Sequence, residues 1–162
     1  MKEIIRRILR EELEWGSSGE YDYQRGYCHY FAYDIIGRLK KLYPNKDIKY
    51  YILFADEIYD YDEGIVEGTA LIHVYIKIDN YLLDSNGFTT IEDANKRMIE
   101  WIQEMSEELP DDYRLEGYVK ETIRFPTGYI NKTQCNLETI KKDIKTFLSN
   151  PDVIGLLKII KE

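Results

Sequence analysis

A change of hydrophobic period between residues 28 and 84 constrains this chain more than any other feature of it. Cys28, Phe31, Ala32, Ile35, Ile36, Leu39, Leu42 and Tyr43 recur at helical spacing, and Pro44 ends the run. Strand-type segments follow at Ile48 to Ala55 (IKYYILFA), Ala70 to Ile78 (ALIHVYIKI) and Tyr81 to Asp84 (YLLD). Asp79-Asn80 separates the last two and suits a short turn, because both residues tolerate positive φ. A helix feeding antiparallel strands, with further helices after them, predicts an α+β fold: a helix packed on a small antiparallel sheet, with extra C-terminal helices.

The remaining segments fill in that frame. Ile4, Ile5, Ile8, Leu9 and Leu13 give residues 2–14 an amphipathic helical pattern, and Trp15 to Tyr27 is loop-like. Residues 56–68 (DEIYDYDEGIVEG) read as an acidic loop. Thr89 or Thr90 can cap a helix running through Leu109, whose stripe of Met98, Trp101, Ile102 and Met105 is expected in the core. A β-prone stretch spans Arg114 to Phe125; Asn136 caps a helix to Leu148, and Pro151 opens a final short one. No repeat or linker interrupts the chain, so residues 1–162 form a single domain, long enough to bury roughly 70% of its unfolded surface.

Charge and composition narrow the function classes. A formal net charge of −8 opposes non-specific binding to nucleic acid. No stretch approaches the ~20 apolar residues of a membrane span, and MKEIIRRILREELEW lacks the apolar run of a secretory signal. We therefore expect a cytoplasmic protein without membrane partners, with Cys28 and Cys135 as free thiols. Two His and two Cys do not make a zinc site, the acidic loop lacks EF-hand spacing, and no phosphate-binding glycine pattern occurs. No metal or cofactor is expected.

His29 and His73 are the only histidines, which restricts any imidazole-dependent chemistry. Cys28 stands where the helix begins, so unpaired N–H groups and a partial positive charge face its sulfur and favour the thiolate. The same N–H groups can receive an oxyanion. His73 sits among Leu71, Ile72 and Val74, where an imidazole is costly without a partner. A two-residue turn at Asp79-Asn80 sets Ile78 opposite Tyr81, hence Asp84 opposite Tyr75 and Asn86 opposite His73. Asp84 then shares a face with His73 at about 7–8 Å between backbones. His29, one position off Cys28, is expected to face solvent, and Cys135 lies in a polar loop as an incidental thiol.

Gly26-Tyr27-Cys28-His29-Tyr30-Phe31-Ala32 resembles the G-x-C-x-x-F-A opening of the nucleophile helix in transglutaminase-like and papain-like cysteine enzymes. ALIHVYIKIDNYLLDSNG, residues 70–87, resembles that group's second block, a strand His followed by a hairpin and a strand-end Asp. The resemblance implies Cys28 as nucleophile, His73 as general base and acid, and Asp84 as the orienting carboxylate. It also implies Gln24 as a side-chain donor to the oxyanion, with Trp15 or Tyr23 as substitutes, and Tyr27, Tyr75 and Asn86 as substrate-binding neighbours. The implied activity is acyl transfer from an amide, as in a peptidase, amidase or glutamine deamidase acting on a peptide or protein substrate, with a basic one suited to the charge.

Each residue also has a plainer role. Cys28 lies on the apolar stripe of its own helix, His73 suits a satisfied core histidine, and Asp84 suits a turn former. The alternative function is a non-catalytic, acidic, Tyr-rich binding or inhibitor protein on a papain-like scaffold. It is favoured by Tyr75, where the group often carries Trp, and by Ser85, where it commonly carries Pro.

Overall fold

The structure, a computed structural model, describes residues 21–24, 26–59, 63–131 and 133–161. The expected helix over 2–14 and Trp15 lie outside the described residues. Helix α1 (Cys28–Leu42) takes its apolar stripe from the spacing above: Cys28, Phe31, Ala32, Ile35, Ile36 and Leu39 are all buried. Five strands follow, β1 (Ile48–Tyr59), β2 (Ile65–Ile78), β3 (Tyr81–Asp84), β4 (Gly87–Thr89) and β5 (Tyr113–Thr122), in one antiparallel sheet of order β4-β3-β2-β1-β5. Helix α2 (Ile91–Ser106) precedes β5, and α3 (Leu137–Ser149) and α4 (Pro151–Lys161) close the chain. The class is α+β. Among the described residues no helix is long and apolar enough to cross a membrane.

Helices α1, α3 and α4 share one core with one face of the sheet, through Ile35, Leu39, Ile52, Ile76, Ile144, Phe147 and Leu156. Helix α2 covers the other face, over Tyr51, Leu53, Tyr75 and Leu82. A strand covered on both faces needs apolar residues throughout, which is why β1 reads as an uninterrupted run. The helix starts are capped as the sequence predicts. Thr90 Oγ1 accepts the Asp93 N–H, and Asn136 Oδ1 accepts those of Glu138 and Thr139.

Two expectations about the middle of the chain are corrected. The acidic segment is mainly strand: β1 runs on to Tyr59 and β2 starts at Ile65. Pairing of Glu57 with Leu115 and Ile58 with Arg114, plus a Thr69–Asp56 side-chain hydrogen bond of 2.8 Å, overrides the weak strand propensity of the acids. The α2 stripe is half-buried rather than core. Below its C-terminal half the sheet offers mostly small residues, Ala55, Gly68, Thr69 and Ala70, with Glu57 and Leu115 beside them, which leaves a groove of about 400 Å³ bordered by Trp101 and Met105. At Gly117 the helix comes close, and an added Cβ would lie 2.5 Å from Ile102 Cδ1.

The hairpin joining β2 to β3 has the expected register, with Ile78 opposite Tyr81 and Ile76 opposite Leu83, and Asp79 takes φ 53° in the turn. Asn86 does not reach a position opposite His73. The chain turns after Asp84, helped by Gly87 at φ 100°, and returns as β4, a strand too short to show in the sequence pattern. β3 therefore stops beside Tyr75, and β2 continues past it with no strand on that side among the described residues.

Candidate active site

Cys28 begins α1 behind Tyr27, whose φ of −121° and ψ of 9° end the preceding loop without a side-chain cap. The N–H groups of Tyr30 and Phe31 return to the Tyr27 carbonyl, while those of Cys28 and His29 have no carbonyl one turn earlier. No acidic residue occupies the first turn, so nothing there competes with an anion for the helix terminus.

His73 stands beside a bulge. Leu53 pairs with His73 but Phe54 pairs with Leu71, so Ile72 is the extra residue in β2. Alternation along the regular part of β2 keeps His73 on the face of Tyr75, whose ring packs edge-on at 4.5 Å. His73 Nε2 lies 2.8 Å from Asp84 Oδ2. Its Nδ1 is buried without a partner at hydrogen-bonding geometry and is the nitrogen left for the sulfur. Cys28 is 5% exposed, His73 0% and Asp84 6%, so the three sit where charge interactions are strong.

The electrostatics are those of an ion pair. Burial pushes the Cys28 thiol up, but the imidazoles of His29 and then His73 outweigh it and leave the thiol at about 6. Burial by itself would lower His73; the Asp84 carboxylate and then Cys28 reverse this and raise it above its ordinary value. Asp84 is held below the usual carboxylate range, against its burial, by His73, Gln24 and the Asn86 N–H. Thiolate, imidazolium and carboxylate thus form one charge sequence. Among the described residues no cluster of three or more metal-ligating side chains has the arrangement of a metal site.

The other expected residues fall differently. Gln24 donates from Nε2 to Asp84 Oδ2 at 3.1 Å and to the Ser85 hydroxyl oxygen at 2.8 Å, so its amide is engaged with the carboxylate and not with the sulfur. Tyr75 is buried, and its phenol is pushed up to about 12 by burial and by Asp84, so it supports the imidazole and lines no open cleft. Tyr27 is half-buried against the Tyr21 ring, with centroids 4.7 Å apart. Asn86 is exposed, and its backbone N–H holds Asp84 Oδ1 at 2.9 Å.

Two further residues join the site, one expected from the sequence to face solvent and one that the sequence did not single out. His29 is half-buried against Tyr30 at 4.2 Å with a buried Nδ1, rather than facing solvent; its adjacency to Cys28 was the available signal. Arg97, from α2, donates to the Gln24 side-chain oxygen at 2.9 Å and to its backbone carbonyl at 3.2 Å, and lies 3.8 Å from Asp84 Oδ2. Tyr23 anchors the same loop from the opposite face by donating to the buried Asp143 of α3. The segment leading into Cys28 is therefore tied to both layers of helices. Cys135 is half-buried, and burial pushes its thiol up. No family model, curated protein or solved structure matches this chain.

Proposed function

We propose that the chain is a thiol-dependent acyl-transfer enzyme of the transglutaminase-like or papain-like kind, acting on an amide through Cys28, His73 and Asp84. The observation that carries this reading is the buried 2.8 Å bond between Asp84 and His73, which leaves His73 Nδ1 buried and unpaired, together with a Cys28 thiol that, against its burial, the neighbouring imidazoles depress to about 6. With a pKa of about 6 the thiol is roughly nine-tenths ionised at pH 7, whereas a thiol at its ordinary value is about 1% ionised.

In the reaction, Cys28 Sγ attacks the amide carbon and the carbonyl electron pair moves onto oxygen. The Cys28 backbone N–H supports that oxyanion. The imidazolium of His73 gives its Nδ1 proton to the leaving nitrogen as the C–N bond breaks, which leaves a thioester and a neutral imidazole held by Asp84. Water then attacks the thioester carbon and gives a proton to His73. The C–S bond breaks, which releases the acid and restores the Cys28 thiolate and the imidazolium; an amine in place of water gives transfer. Hydrolysis is the default outcome because water is always present.

The test is the rate of Cys28 alkylation against pH, followed by mass spectrometry, with Cys135 as internal control. An inflection near 6 that moves upward in His73→Ala supports the pair. Silence of Cys28 until the protein unfolds would sink the proposal. It would leave the non-catalytic binding role, which the near-complete burial of the sulfur favours.

A further inference from the structure

The two long sheet edges are built differently. β5 carries Arg114, Glu116, Lys120 and Glu121, a charged edge of the kind that discourages strand addition. β2 pairs with β3 only through Ile76, Lys77 and Ile78. Its other half, Ile65 to Val74, presents its outer backbone groups with no strand partner among the described residues. That half has Glu67 and His73 as its sole ionisable residues, has no Pro, and exposes Ile65 and Val66. It is neither short nor blocked by charge; bulges at Glu67 and Ile72 bend it, and its far end carries His73.

The groove under α2 adjoins the same stretch. Gly68, Thr69 and Ala70 of β2 form one side of it, with Ala55 and Leu115 beyond, and Trp101 and Met105 above. Glu57 and Glu108 supply its charge, and neither has an ion-pair partner among the described residues. An indole, a thioether and two free carboxylates around a floor of small residues suit a long side chain with an apolar stem and a cationic end.

We propose that the open edge of β2, Ile65 to Val74, docks the substrate as an added β-strand, and that the groove receives one of its lysine or arginine side chains. The inference rests on the proposed thiol chemistry and names its substrate class: an extended, basic segment of a peptide or protein. Main-chain hydrogen bonds to the edge supply affinity, the groove supplies side-chain preference, and the strand's line carries an amide toward Cys28. The overall charge of −8 favours approach of such a segment.

The whole chain is tested with two electrophilic pentapeptides of alternating valine and lysine, one bromoacetylated at its N-terminus and one ending in a chloromethyl ketone. Iodoacetamide is the small-reagent reference, and all rates are normalised to those with free cysteine. One of the two peptides, chosen by strand direction, labels Cys28 at least about tenfold faster than iodoacetamide. N-methylation of alternate amides removes that gain in one phase and spares it in the other, because successive N–H groups of a strand point to opposite sides. Serine in place of lysine weakens labelling. Gly68→Leu, whose side chain enters space open beyond 4 Å, abolishes the lysine preference and leaves the iodoacetamide rate unchanged. Rapid iodoacetamide labelling with no peptide gain, or equal rates for both N-methylated phases, overturns the docking edge and leaves the thiolate standing. Slow iodoacetamide labelling removes the thiol chemistry, and the docking proposal with it. A gain that falls as protein concentration rises, alongside a dimer in light scattering, assigns the edge to a second copy of the chain and overturns the proposal.

Discussion

His73 has no exposed surface and a carboxylate 2.8 Å from one nitrogen, so the charge on each partner depends on the other. Replacing Asp84 with Asn leaves a buried imidazole without its counter-charge. We expect a cost of about 3 kcal/mol in urea unfolding, a lower His73 pKa and a higher Cys28 pKa. The pH dependence of stability has a definite sign. Cys28 is depressed from 9.0 to about 6, so its contribution is complete above the ordinary value and is lost as pH falls through about 6. His73 is raised from 6.5; its contribution is complete below that value and is lost as pH rises through the higher folded one. Asp84, depressed from 3.8, loses its contribution only in stronger acid. Stability should therefore fall on acidification through pH 6, and Cys28→Ala should flatten that limb in urea titrations at stepped pH. An acid limb unchanged in the variant would show that the thiolate plays no part.

At the scale of elements, the site depends on α2, although no reacting atom belongs to it. Arg97 grips both the side chain and the backbone of Gln24, four residues before Cys28. Arg97→Ala should slow Cys28 alkylation severalfold, and Arg97→Lys should restore only part of the rate, because an ammonium cannot reproduce the two-pronged contact. Thr90→Ala removes the cap that starts α2 and should cost about 1 kcal/mol in thermal or urea unfolding. The matching Asn136→Ala change at α3 should cost a similar amount with little effect on alkylation, since the two contacts of that end of the chain with the site loop, Tyr23 to Asp143 and the Asn136 backbone N–H to the Tyr21 hydroxyl, do not use the Asn136 side chain.

At the scale of the whole molecule, acidity is the property that reaches furthest. Any preference for basic over acidic peptides should shrink as ionic strength rises above about 0.15 M and the Debye length shortens from about 8 Å. A preference unchanged by salt would place discrimination in packing instead. The sequence by itself determined the α+β class, the start of α1 at Cys28, the helix caps and the register of the β2–β3 hairpin. These follow from local causes: periodicity of apolar residues, turn chemistry at Asp79-Asn80 and capping side chains. The hairpin register also put Asp84 on the face of His73, so that part of the site was legible before any fold was known. Tertiary structure alone decided the rest. Strand pairing with β5 turned an acidic loop into ribbon, and the early end of β3 opened the edge of β2. Closure of α2 over the sheet brought Arg97 to Gln24 and took Gln24 to Asp84, and α1 packing left His29 half-buried beside the sulfur. Such contacts join residues far apart in the chain or on neighbouring elements, and their geometry depends on how layers settle against one another, which no local pattern encodes.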